Sequence, residues 1–262
     1  MLKDITLGQY YPTDSVIHRL DPRTKLFGTM LYIVILFCAH SWLGYAIGIL
    51  ALAVVIKLSN VPVKFMFCGL KGIIMLLMIS VLFNLFLTTG EVIWQFWIFK
   101  ITREGIDTAS KMAVRLICLV TASSIMTLTT TPNNLTDGME KGLHFLNKFH
   151  VPVHEISMMM SIALRFIPIL VEETNKIMMA QMARGADFES GNIMEKAKAM
   201  IPLLVPLFIS AFRRASDLAT AMEARCYHGG DGRTKMKPLK YARRDYIAYI
   251  CMAVWSVAVI VA

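Results

Sequence analysis

Arg184 and Arg225 end two matching stretches of this chain. One reads Ile177-Met178-Met179-Ala180-Gln181-Met182-Ala183-Arg184-Gly185, the other Leu218-Ala219-Thr220-Ala221-Met222-Glu223-Ala224-Arg225-Cys226. In each, an amphipathic helical pattern runs into Ala-Arg and a small residue, and the arginine falls seven positions after Ile177 or Leu218. That spacing is almost two helical turns, so the guanidinium caps the apolar stripe. A guanidinium is always charged, and its planar fork grips a carboxylate through two bonds. A single arginine before Gly at a helix end is commonplace, because it complements the helix dipole. Two such endings, 41 residues apart, point instead to docking. They present two helix tips to acidic grooves on another protein, in two copies or in two related partners.

Other residue types offer less chemistry. His150 and His154 have the spacing of a helical metal pair, but Pro152 lies between them and works against one continuous helix. Gly229-Gly230-Asp231-Gly232-Arg233-Thr234-Lys235 lacks the spacing of a phosphate-cradling loop and reads as a flexible exit from the second arginine helix. The cysteines, Cys38, Cys68, Cys118, Cys226 and Cys251, form no Cys-x-x-Cys pair, so neither a disulfide framework nor a zinc site is indicated. Asn84 and Thr88 suit helix–helix hydrogen bonding better than a substrate site. Several methionines, among them Met158-Met159-Met160, Met178-Met179, Met182, Met194 and Met200, gather around the arginine stretches. They read as core filling or as an adaptable apolar docking surface.

The elements that position these residues belong to a membrane protein. Of 262 residues 56% are hydrophobic and 17% charged, with mean hydropathy +0.57, which a soluble globular chain rarely combines. The polar start Met-Leu-Lys-Asp-Ile-Thr is not a cleavable signal peptide. No charge occurs from Leu26 to Ile56, a run too long for one bilayer crossing. His40-Ser41-Trp42 marks a reversal, which predicts spans at about 26–40 and 42–57. Asn60-Val61-Pro62 breaks the pattern, and further spans are expected at about 72–89, 111–131 and 246–262. Residues 90–110, with Trp94, Trp97 and Phe99, suggest an interfacial hairpin. The apolar runs Ile156–Leu164 and Ile201–Phe212 are short for crossings, so they read as buried or interfacial helices. Residues 132–245 hold 16 of the 27 Lys and Arg, against 3 in 90–111, which places the larger block in the cytoplasm. The expected architecture is an all-α integral membrane protein of about five transmembrane helices. A membrane domain covers 1–131, a cytoplasmic coupling domain with two long crossing helices covers 132–245, and a final span covers 246–262. The basic excess faces an anionic inner leaflet; no basic stripe interleaved with aromatics points to nucleic acid.

In sum these residues resemble a family, the transmembrane T component of energy-coupling factor (ECF) transporters. The resemblance rests on Leu20-Asp21-Pro22-Arg23-Thr24-Lys25, Thr102-Arg103-Glu104-Gly105, Ala163-Leu164-Arg165-Phe166-Ile167-Pro168 and the two Ala-Arg endings, with Tyr227 after the second. It implies a scaffold in a bacterial cell membrane that binds neither cofactor nor metal and is no enzyme itself. Two cytoplasmic ATPase subunits bind the ATP, and a separate membrane S component binds a vitamin or other micronutrient. Ala183, Arg184, Gly185, Ala224, Arg225 and Cys226 would dock the ATPases. Arg165, Glu172, Gln181, Met222 and Glu223 would support the coupling helices, and Asp21, Pro22, Arg23 and Lys25 would form an N-terminal motif. Cys226 stands where the family usually has Gly, and a cysteine enters a left-handed helix cap less easily. The alternatives are a membrane-embedded enzyme, which needs a clustered polar site within the spans, and a solute-carrying permease, which needs midplane polar residues or inverted repeats.

Overall fold

Asp21 and Pro22 start the first helix, as their types dictate. Pro22 sits at the first helical position, and the Asp21 carboxylate accepts from the Arg23 N–H at 3.0 Å. The computed structural model describes residues 10–89, 91–96, 99–186, 188, 193–229 and 238–262. Its elements are α1 (Pro22–Cys38), α2 (Trp42–Ser59), α3 (Val63–Lys71), α4 (Ile74–Leu87), β1 (Val92–Phe96), β2 (Phe99–Thr102), α5 (Arg103–Thr129), α6 (Pro132–Gly142), a 3-10 turn (His144–Phe149), α7 (Val153–Ala183), α8 (Ile193–Glu223) and α9 (Arg243–Val261). The reversal at His40 is present: Ser41 caps α2 by accepting from the Leu43 N–H. α2 ends where Asn60 turns left-handed at φ 53°, just before Val61-Pro62. The hairpin is antiparallel, pairing Trp94 with Ile101 and Phe96 with Phe99; Trp97 lies outside the described residues.

Among the described residues the fold is helical but for this hairpin and the connecting turns. Five helices among the described residues are long and apolar enough to cross a membrane: Trp42–Ser59, Arg103–Thr129, Val153–Ala183, Lys198–Glu223 and Arg243–Val261. Three of them, α2, α5 and α9, fall on expected spans; the span expected at 26–40 forms α1, of 17 residues. α4 is an apolar helix of only 14 residues, whereas α7 and α8 qualify by length and composition because each runs unbroken for 31 residues. Pro168, Pro202 and Pro206 interrupt hydrogen bonding without ending these helices. α5 begins at Arg103, earlier than the expected Lys111, because Thr102 caps it by accepting from the Gly105 N–H at 3.0 Å. Asn84 and Thr88 bond back to carbonyls of their own helix, Ser80 and Asn84, rather than across helices.

Contacts divide the chain into two compact units. One joins the described residues up to Gly142 with Leu239–Ala262; the other is Leu143–Pro238. The first has a core of Ile35, Leu36, Tyr45, Leu52, Met66, Cys118, Ile125 and Val259, drawn from α1, α2, α3, α5 and α9. Close helix approach needs small residues. At Gly105 a Cβ would come within 3.0 Å of the Leu85 carbonyl oxygen. The second unit is α7 packed on α8, and little of either helix is buried.

Candidate docking endings and the clasp between the long helices

The two arginine endings are built alike, bond for bond. At the end of α7 the Gly185 N–H donates to Met182 O (2.9 Å) and the Ala186 N–H to Gln181 O (3.0 Å). At the end of α8 the Cys226 N–H donates to Glu223 O (2.8 Å) and the Tyr227 N–H to Met222 O (3.1 Å). Both are Schellman caps, which need a left-handed residue after the last helical turn. Gly185 supplies it at φ 88° and Cys226 at φ 55°, so the cysteine adopts the cap that its side chain disfavours. Gln181, Met222 and Glu223 thus come together with Arg184 and Arg225 as the carbonyl acceptors of the two caps. Ala183, Arg184, Ala224 and Arg225 are exposed. Among the described residues neither arginine side chain has a hydrogen-bond or ion-pair partner, which leaves both guanidinium forks available.

Between these tips α7 and α8 are tied together. Glu173 accepts from the Ser210 hydroxyl at 2.8 Å through one carboxylate oxygen and pairs with the Arg214 guanidinium through the other. Two turns further along α7, the Gln181 amide donates to Pro202 O at 3.4 Å. Pro206 has no N–H, so the Pro202 carbonyl lacks its usual partner four residues on, and Gln181 takes that place. Moving forward from Glu173 to Gln181 on α7 moves backward from Ser210 to Pro202 on α8, so the helices pack antiparallel. Their C-terminal tips therefore point to opposite ends of the pair, separated by roughly 40 Å along the axis at about 1.5 Å per residue.

Sequence reasoning missed Glu173, Ser210 and Arg214. It pointed instead to Glu172, which is exposed and makes no side-chain hydrogen bond or ion pair among the described residues, and to Arg165, also exposed. Pairing across two helices depends on their register, which no local pattern encodes. His150 and His154 do not share a helix: His150 is left-handed at φ 60°, and α7 starts after it, at Val153.

The N-terminal motif makes a different kind of site, in the other unit. Asp245 is 1% exposed. It accepts from the Asp21 N–H at 2.9 Å and, through its other oxygen, from the Ala242 N–H at 2.8 Å. Lys25 donates to Thr129 O at 2.8 Å and His18 O at 3.2 Å. Arg23 donates to Leu239 O at 3.2 Å and lies over the Tyr241 ring. These bonds fasten the start of α1 to the end of α5 and the start of α9. Nearby His18 is held below its ordinary pKa chiefly by burial.

Helices of this length and apolarity define a multi-pass α-helical membrane protein. Residues 13–236 match the family CbiQ, described as "Cobalt transport protein". The chain is 51% identical over 247 residues to the energy-coupling factor transporter transmembrane protein EcfT of Ruminiclostridium cellulolyticum, covering 94% of this chain and 92% of that one. It is 52% identical over 258 residues to the EcfT of Clostridium kluyveri (97% and 95% covered). The EcfT of Bacillus subtilis is 46% identical over 255 residues (97% and 96% covered). The chain belongs to this family of transmembrane components of energy-coupling factor transporters.

Proposed function

We propose that the chain is the non-catalytic scaffold of an ECF-type importer in a bacterial cell membrane. It couples ATP hydrolysis in two cytoplasmic ATPase subunits to the movement of a separate substrate-binding S component. The observation that carries this reading is the repeated ending: two matching helix caps, each tipped by an exposed arginine that has no partner among the described residues, at opposite ends of one antiparallel pair. An acidic groove on each ATPase would take one guanidinium in a charge-assisted fork. The exposed apolar residues of α7 and α8, including Met179, Met182, Met200, Phe208 and Phe212, suit a surface that repacks as the ATPases open and close. Residues 132–245 then face the cytoplasm, where their basic excess fits the inner leaflet.

Co-purification tests the docking. With the ATPase and S subunits co-expressed, Arg184→Ala with Arg225→Ala should release the ATPases and abolish uptake; unchanged complex yield with unchanged uptake refutes it. Cysteine labelling in intact cells tests the topology. A single cysteine placed at Ser190 on a Cys-free background should resist an impermeant reagent, and its labelling would reverse the orientation.

A further inference from the structure

A cavity of about 370 Å³ opens between the segment before α1, the end of α2 and the start of α9. Three cations line it, Arg19, Lys57 and Arg244, against one carboxylate, Asp14. Asp14 is already engaged by Arg19 at 3.2 Å. Among the described residues, Lys57 and Arg244 make neither a hydrogen bond nor an ion pair. Lys57 has an ordinary explanation, since it lies in the last turn of α2, where a cation complements the helix dipole. Arg244 has none of that kind. It is the second residue of α9, where the helix dipole opposes a cation, and the neighbouring Asp245 carboxylate is already taken by the Asp21 and Ala242 N–H groups.

The two residues also mark one membrane boundary. From Trp42 to Ile56, α2 carries no charge, and neither does α9 from Tyr246 to Val261. The helices pack together, with the Trp255 indole donating to Ile47 O at 3.4 Å. Val16 and Leu58, both about half exposed, line the same cavity and give it an apolar wall beside its cations. Its volume falls in the range of small-ligand sites.

We propose that this cavity binds a phosphate group, held between Lys57 and Arg244 at the positive end of α9. The phosphate can come from an anionic phospholipid headgroup, whose acyl chains would lie along the apolar wall, or from a soluble phosphate. Native mass spectrometry of the full chain in detergent separates the two. The probes are dioleoylphosphatidylglycerol, dioleoylphosphatidylcholine and inorganic phosphate. The variants are Lys57→Gln with Arg244→Gln, and Arg243→Gln as a neighbouring charge that does not line the cavity. Phosphatidylglycerol should be retained over phosphatidylcholine. The double variant should weaken its retention by about 30-fold, the effect of two surface cations, while Arg243→Gln changes little. Stabilisation by inorganic phosphate without lipid retention, lost in the double variant, keeps the site and assigns it to a soluble anion. The proposal is overturned if both lipids are retained equally with phosphate inert, or if the double variant, shown by circular dichroism to be folded, binds as the wild type does.

Discussion

The N-terminal cluster and the two helix tips use the same kinds of residue for opposite ends. Around Asp245, charged groups are buried or half-buried and each finds a partner within the chain: a capped N–H, a helix-end carbonyl or an aromatic face. At Arg184 and Arg225 the backbone is fully capped while the side chains are exposed and unpaired among the described residues. A charge satisfied internally stabilises one arrangement of helices. A charge left outside on a well-ordered helix end is available to another molecule at little further ordering cost. Under the proposed function, the contrast separates residues that hold this protein together from residues offered to its partners.

The sharpest way to break that contrast is to remove one tip at a time. Arg184→Ala and Arg225→Ala should each release one of the two ATPases, weakening that contact by about 2–5 kcal/mol. Neither should move the chain's own unfolding midpoint by more than roughly 0.5 kcal/mol equivalent, as expected at an exposed site. Subunit stoichiometry by native mass spectrometry and a melting curve of the same sample check both halves. Loss of the chain's own stability would place the tips with the structural residues.

Asp245→Ala tests the other side. It leaves the Asp21 and Ala242 N–H groups without their acceptor in a buried site and should destabilise the chain by on the order of 3 kcal/mol. Any ATPase that still binds should do so at full stoichiometry. A stable variant that has lost its ATPases would erase the distinction drawn here.

Glu173 falls between the two classes. Its pair with Arg214 is partly exposed, so Glu173→Gln should cost little stability. Under the proposed function it joins the two tipped helices, so uptake should fall while both ATPases stay bound. Exchanging the charges, Glu173→Arg with Arg214→Glu, should recover part of the uptake. Equal loss in the single and exchanged variants would deny the pair any coupling role.

What the sequence reveals follows the range of each interaction. Both arginine tips are legible because a cap and a stripe recur at a fixed spacing, whereas α1 starts at Pro22, ahead of the apolar run at about 26, because Asp21 and Pro22 form its cap. The early start of α5 escaped because Arg103, Glu104, Asp107 and Lys111 look like a loop, although Thr102 supplies the cap that starts a helix there. The Glu173 clasp and the Asp245 knot escaped for a different reason. Asp21 and Asp245 are 224 positions apart, and only packing brings them together.

The smallest effect lies inside the caps themselves, where the two tips differ in one residue. Cys226 holds φ 55° where Gly185 holds φ 88°. A left-handed backbone costs a residue with a Cβ about 1 kcal/mol relative to glycine. Nothing lies within 4 Å of a Cβ built on Gly185, so at that tip the backbone conformation alone sets the cost. Gly185→Ala should therefore destabilise the α7 tip by about 1 kcal/mol, and Cys226→Gly should steady the α8 tip by a similar amount, less the extra freedom glycine gives the unfolded chain. Hydrogen exchange at the Ala186 and Tyr227 amides, which close the two caps, reads each change locally: faster exchange at Ala186 in the first variant, slower at Tyr227 in the second. Equal protection of Tyr227 before and after Cys226→Gly would mean that the cysteine sits in the cap without strain, and that the two tips are equivalent in energy as well as in geometry.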